Sequence, residues 1–195
     1  MKFRWVLRLL FKPSFYRFIW RRTAADYPMF LLVEQLRKRT INPRFSDDLQ
    51  LRNVEQIFIG KNVLIEKGCL LSCGENGEIH IGDNTIIGNN AIVYAGNGTI
   101  KIGESCDVGL NVVITAQSRD LMQNPLEKRE SHSLSIGAIE IGKGCYFGSN
   151  AVVLAGSVLG DYCNVTAGTV VGGKYPDKTS LIGNPARSIP RIEFE

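Results

Sequence analysis

From about residue 57 onward, large apolar residues recur at six-residue spacing. Ile59, Ile65, Ile81, Ile87, Val93, Ile102, Val108, Ile141, Phe147, Val153, Leu159, Val165 and Val171 fall into such runs, and Gly follows nine of these thirteen. Helices repeat every 3.6 residues and half-buried strands every two, so neither produces this period. Four residues beyond most anchors stands a small side chain: Val63, Cys69, Thr85, Ala91, Cys106, Val112, Cys145, Ala151, Ser157, Cys163 and Thr169, with Asn97 and Tyr175 as exceptions. The pattern predicts an all-β solenoid whose every turn has three short flat faces, each with one large residue inside and a small one near the corner. Gly, Asn or Asp serves the bends.

Three faces of six residues make an 18-residue coil, and Leu159 follows Ile141 by 18. Ile81 follows Ile59 by 22 and Ile102 follows Ile81 by 21, which predicts short corner insertions. These insertions recur as related phrases, Gly74-Glu-Asn-Gly-Glu-Ile-His-Ile-Gly82 and Gly96-Asn-Gly-Thr-Ile-Lys-Ile-Gly103, the mark of internal repetition. Between Ile102 and Ile141 the gap is 39, so an excursion over residues 120–140 leaves the solenoid. Excursions of that length usually carry function.

Residues 1–48 read as an N-terminal helical segment capping the solenoid. Arg4, Arg8 and Lys12 share one helical face while Phe3, Val6, Leu7, Leu10 and Phe11 line the other, until Pro13 interrupts. A second apolar stretch, residues 29–33 leading into 35–39, predicts another helix closed by Asn42 and Pro43. The β-helix domain is expected over residues 49–175, and residues 176–195 as a C-terminal cap.

Charge sharpens this division. The net charge is +4, yet seven cations precede the first acid, Asp26, so the rest of the chain sums to −3. Basicity confined to one end argues against a nucleic-acid binder, which spreads cations over its reading surface. Residues 1–22 instead suit peripheral contact with an anionic membrane. Five cysteines, an odd number, without a secretory leader fit a cytoplasmic setting. Cys69 and Cys73 lack a second pair at matching spacing, and with only His80 and His132 present no metal site is expected.

The six-residue repeat, the long loop, the run Ile141-Gly-Lys-Gly-Cys-Tyr-Phe-Gly-Ser-Asn-Ala-Val-Val-Leu-Ala-Gly156 and the phrase Gly183-Asn-Pro-Ala-Arg187 resemble the hexapeptide-repeat acyltransferases, which include maltose, galactoside and polysaccharide O-acetyltransferases. The resemblance covers residues 57–190. It implies a left-handed parallel β-helix, a homotrimer, and an acetyl-CoA site in the groove between two subunits. It also implies direct transfer, in which a histidine takes the acceptor hydroxyl's proton and a backbone amide holds the oxyanion.

In such enzymes the histidine ends the coil before the long loop, and this chain has Arg119 there. A guanidinium stays protonated and only donates, so Arg119 is no general base. His132, inside the excursion, is the first candidate to supply the imidazole, and Asp120 is a weaker one. His80 reads as a surface residue two coils away. An Asn that orients the acceptor in relatives falls near Gly88 and is missing, with Asn89 and Asn90 following. On the donor side the resemblance implies pantetheine contacts from the backbone of Ser149 and Ala167, Tyr146 in place of a Trp, and Lys174 and Arg187 toward the CoA phosphates.

The expected function is O-acetyl transfer to a saccharide in surface-polysaccharide assembly. Two alternatives stand beside it. One is a catalytically retired trimer serving as a scaffold; the other is an N-acyltransferase on an amino sugar, whose amine needs less basic help.

Overall fold

In the computed structural model, which describes residues 32–119 and 134–189, the chain winds as a left-handed parallel β-helix. The first face stacks Arg44–Phe45, Leu64–Ile65, Ile86–Ile87, Asp107–Val108, Tyr146–Phe147, Asn164–Val165 and Ser180–Ile182. The second stacks Gln50–Arg52, Leu70–Cys73, Ile92–Gly96, Val113–Thr115, Val152–Val153 and Val170–Val171. The third stacks Ile57–Ile59, Glu78–Ile81, Thr99–Ile102, Ile139–Ile141, Val158–Leu159 and Lys174–Tyr175.

Strict register explains the six-residue period. Phe45, Ile65, Ile87, Val108, Phe147, Val165 and Leu181 form one buried column, each paired with the equivalent residue of the next coil. All eleven small residues expected at corners are buried. The thiols among them do more than fill space. Cys69, Cys106, Cys145 and Cys163 donate to the carbonyls of Gly88, Gly142, Gly160 and Pro176 at 3.1, 3.2, 3.2 and 3.3 Å. The Gly142 and Gly160 carbonyls take no other donor among the described residues, whereas those of Gly88 and Pro176 also accept from Ala91 N–H and Thr179 Oγ1.

Asparagine serves the edge between third and first faces. Asn42, Asn62 and Asn84 have positive φ there, a conformation Asn tolerates. Their side-chain amides chain upward, Asn42 to Asn62 at 3.3 Å and Asn62 to Asn84 at 3.1 Å.

The solenoid runs wider than the expected 49–175. Phe45, Leu51 and Ile57 already build a first coil, because they too are six residues apart, although no Gly follows them. At the other end Ser180–Ile182 still pairs with Asn164–Val165 within residues 176–195, and Arg187–Ile189 folds back antiparallel on it. The excursion is displaced from 120–140, since it begins at Gln117 and ends at Ile136. Gln117–Arg119 and Leu134–Ile136 pair antiparallel as the two legs of an arm, and the third face resumes at Ile139–Ile141. Gln117 Oε1 accepts from the Asn97 N–H at 2.8 Å, which fastens the arm's base to the coil below.

Residues 32–39 are helical and end before Asn42, as expected. Val33 and Leu36 enter the common core and close its open end. Arg37 donates to the Phe45 carbonyl at 2.8 Å, and Arg39 donates to the Val54 carbonyl at 3.0 Å while lying 5.7 Å over the Phe58 ring. The basic segment 1–22 lies outside the described residues. Among the described residues no helix is long and apolar enough to cross a membrane.

The outward sides of the faces differ. On the third, Phe58, His80, Lys101, Glu140, Val158 and Lys174 form one column. The second carries Leu70, Ile92, Val113, Val152 and Val170, half-buried and without charge.

Candidate functional site

The edge between first and second faces repeats a three-residue bend: Ser46-Asp47-Asp48, Glu66-Lys67-Gly68, Gly88-Asn89-Asn90, Gly109-Leu110-Asn111, Gly148-Ser149-Asn150 and Thr166-Ala167-Gly168. The first N–H of each triplet but the last donates to the residue ending the next coil's first-face strand, from Ser46 to Ile65 up to Gly148 to Val165. The third N–H donates back to the preceding coil, as Asn90 does to Lys67 and Gly168 to Ser149. The middle N–H has no place in this ladder and points out of it.

What meets that middle N–H differs along the edge. Lys67 N–H donates to Asn89 Oδ1 at 3.1 Å, and Asn89 N–H to Glu66 Oε2, also at 3.1 Å. The N–H groups of Leu110, Ser149 and Ala167 meet no acceptor among the described residues. Glycine keeps them bare. A Cβ on Gly148 would lie 2.4 Å from Ala167 N, and one on Gly109 would lie 2.5 Å from the Phe147 carbonyl oxygen. The upper edge is therefore a row of exposed donors at one-coil spacing, about 4.8 Å apart. An extended ligand with amide carbonyls matches such a row.

Of the expected donor-site residues, Ser149 and Ala167 stand next to each other on this edge. Tyr146 lies on the adjoining first face, 48% exposed, between Asp107 and Asn164. Lys174 is exposed on the third face, opposite the edge within one copy, and Arg187 is exposed on the returning strand at the C-terminal end. Arg119 ends one leg of the arm, its backbone opposite Leu134. Asp120 and His132 lie outside the described residues. The other histidine, His80, faces outward on the third face, stacked on Phe58 with ring centroids 4.7 Å apart and bonded to Glu78 Oε2 at 2.9 Å.

Gly88 could not carry the acceptor-orienting Asn. A Cβ there would meet the Val108 carbonyl oxygen at 2.8 Å. Asn89 is committed to Glu66 and Lys67, and Asn90 has positive φ at the bend.

The cysteines offer no chemistry. All five are free and buried, and burial pushes Cys69 and Cys73 up to about 11, so both stay protonated at neutral pH. The neighbouring Cys106 thiol and burial together raise Cys145, and burial raises Cys163. Among the described residues no three His, Cys, Asp or Glu side chains gather as metal ligands.

Two features do not follow from the six-residue spacing: the row of open N–H groups and the Glu66–Asn89 pair. The signal for the first lies in the phrases Gly109-Leu110-Asn111 and Gly148-Ser149-Asn150, where Gly precedes and Asn follows the open position.

Known proteins align with these elements. The model described as bacterial transferase hexapeptide (six repeats) matches residues 138–173, and that described as hexapeptide repeat of succinyl-transferase matches residues 78–116. An Escherichia coli K12 protein with the provisional name lipopolysaccharide biosynthesis O-acetyl transferase WbbJ is 28% identical over 151 residues, 74% of this chain and 76% of its own. The dTDP-4-amino-4,6-dideoxy-D-glucose acyltransferase of Escherichia coli is 28% identical over 151 residues, 76% of this chain and 78% of its own. The structure of a variant of AntD, an N-acyltransferase from Bacillus cereus in complex with dTDP-4-amino-4,6-dideoxyglucose and coenzyme A, superposes with a TM-score of 0.71 at 23% identity, covering 83% of this chain and 89% of that one. A maltose O-acetyltransferase from Clostridium difficile 630 gives 0.54 at 22% identity, covering 82% and 73%. At such identities the two structures share the fold with this chain.

Proposed function

The chain belongs to the hexapeptide-repeat acyltransferases, and on that premise we propose that it transfers an acetyl group from acetyl-CoA to a saccharide in the biosynthesis of a cell-surface polysaccharide. The observation that carries this is the row of open N–H donors at Leu110, Ser149 and Ala167. The pantetheine arm of acetyl-CoA is extended and carries two amide carbonyls, which suits donors spaced one coil apart. Glycines 109 and 148 leave the approach clear, so the residues present fit the donor.

The working form is a homotrimer packed through the apolar column of the second face. Three prisms that turn this face to a common axis set the third face of one copy against the first-to-second edge of the next. Lys174 then faces the neighbour's Ser149 and Ala167, where its ammonium pairs with CoA phosphate. The arm springs from the edge between second and third faces, in the same cleft. His132 on that arm takes the proton of the acceptor hydroxyl as the hydroxyl oxygen attacks the thioester carbonyl. The thiolate of CoA leaves, and an edge N–H stabilises the oxyanion between these steps.

O-acetylation is the reading adopted here. N-acylation of an amino sugar is favoured by a different observation: Arg119 stands where a base is expected, and an amine attacks with less basic assistance. Incubation with radiolabelled acetyl-CoA and paired acceptors, maltose against dTDP-4-amino-4,6-dideoxyglucose, tests both. Base-labile label on the hydroxyl acceptor supports the ester, stable label on the amino sugar supports the amide, and label on neither supports a retired scaffold.

A further inference from the structure

Below Gly88 the same edge changes character. Where the upper coils have Gly109 and Gly148, the second coil has Glu66 and the first has Ser46, so side chains project from the bend. They border an open groove of about 410 Å³, whose lining includes Arg44, Ser46, Leu64, Glu66, Lys67 and Asn89. That volume lies in the range of small-molecule sites.

Two of the groove's polar side chains, Glu66 and Asn89, hold each other in place. Asn89 gives both its backbone N–H and its side-chain amide to Glu66 Oε2, at 3.1 and 2.7 Å, and its Oδ1 takes the Lys67 N–H. One carboxylate oxygen of Glu66 is thereby tied down, and Oε1 makes no hydrogen bond to any described residue. Arg44 is exposed on the same groove as a donor, and Leu64, its partner across the first face, is half-buried. The charges nearly cancel, since Asp48 offsets Lys67 and Glu66 offsets Arg44. Such a groove is poorly suited to a phosphate. It suits a group that both donates and accepts while presenting an apolar ring face, which describes a pyranose.

We propose that this groove is the acceptor subsite and that Glu66 selects the sugar by accepting a hydrogen bond from a ring hydroxyl. The inference rests on the acyltransferase reading for the identity of the donor, and it deepens that reading by placing the acceptor. Asn89 lies two coils beneath Ser149 on one straight edge, about 10 Å at the coil spacing. A thioester carbonyl followed by one sugar ring spans that length.

Calorimetric titration of dTDP-4-amino-4,6-dideoxyglucose, dTDP and maltose into the wild-type protein, Glu66→Gln and Leu64→Trp tests it, with acetyl-CoA titrated into each. The glutamine keeps the shape and removes the charge, so loss of the charged hydrogen bond weakens sugar binding at least tenfold. Leu64→Trp fills the groove and produces a similar loss by another route. Acetyl-CoA binding stays unchanged in both variants. Sugar binding that is equal in all three proteins overturns the proposal, as does dTDP binding as tightly as the sugar nucleotide, or no sugar binding where acetyl-CoA binds. Sugar binding that depends on Glu66 in a protein that fails to bind acetyl-CoA retains the groove and removes the transferase reading.

Discussion

Asn89 and Ser149 hold the same position of the same edge two coils apart, yet the Asn89 N–H is held by Glu66 Oε2 at 3.1 Å while that of Ser149 meets no described acceptor. One repeated bend thus supplies a side-chain-lined groove in its lower coils and a bare row of donors above. The difference is set by one residue per coil, Glu66 against Gly109 and Gly148.

Gly148→Ala separates the two halves. The added methyl meets Ala167 N at 2.4 Å, so the coils must part and the open N–H row is disturbed. Overpacking of this kind costs about 1–3 kcal/mol. At roughly 2–4 °C per kcal/mol for a chain of this size, thermal melting falls by several degrees. Acetyl-CoA affinity drops at least tenfold in calorimetry, whereas Asn89→Ala leaves it unchanged.

Association through the second face predicts that Ile92→Lys yields monomers. Light scattering behind size exclusion reports three copies for the wild-type chain and one for the variant, with the far-ultraviolet circular dichroism of the β-helix retained. A variant that remains trimeric moves the interface elsewhere.

The buried thiols predict an alkaline limit to stability. Unfolded cysteines ionise around the ordinary value of 9.0, whereas Cys69 and Cys73 are held near 11 by burial. Between these values the native state binds more protons than the unfolded one, so stability falls as pH rises from 9 to 11 and is unaffected by this effect below 9. Thermal melts of the Cys69→Ala, Cys73→Ala double variant show a shallower decline across that window.

His132→Ala abolishes transfer to a hydroxyl acceptor, and His80→Ala preserves it, because the His80 ring is already stacked on Phe58 and bonded to Glu78 Oε2. Equal rates in the two variants remove the loop histidine from the mechanism. A gain of transfer in Arg119→His, from a wild-type protein without any, favours the retired scaffold.

The solenoid was legible because its interior imposes a strict period: a column such as Ile65, Ile87 and Val108 admits one large residue per coil and a small one at each corner. The first coil escaped because none of Phe45, Leu51 and Ile57 is followed by glycine, whereas every later coil up to Val171 has at least one anchor that is, and those glycines are demanded by tight stacking of bends rather than by the core. Leu181 escaped at the far end for the same reason. The arm's bounds were set too late at both ends because Leu134–Ile136 pairs with Gln117–Arg119 rather than with the solenoid, a choice that local pattern does not encode. The groove was hidden for a different reason. Glu66 and Asn89 are 23 residues apart, and only the length of the intervening coil brings them to one edge.

The central claim is that the upper edge binds an acyl-CoA, and calorimetric titration of acetyl-CoA into the purified protein tests it most directly. The account predicts saturable binding with one molecule per subunit, weakened at least tenfold by Gly148→Ala. No heat of binding up to millimolar concentration, a limit of about −4 kcal/mol, contradicts it and leaves the chain a scaffold.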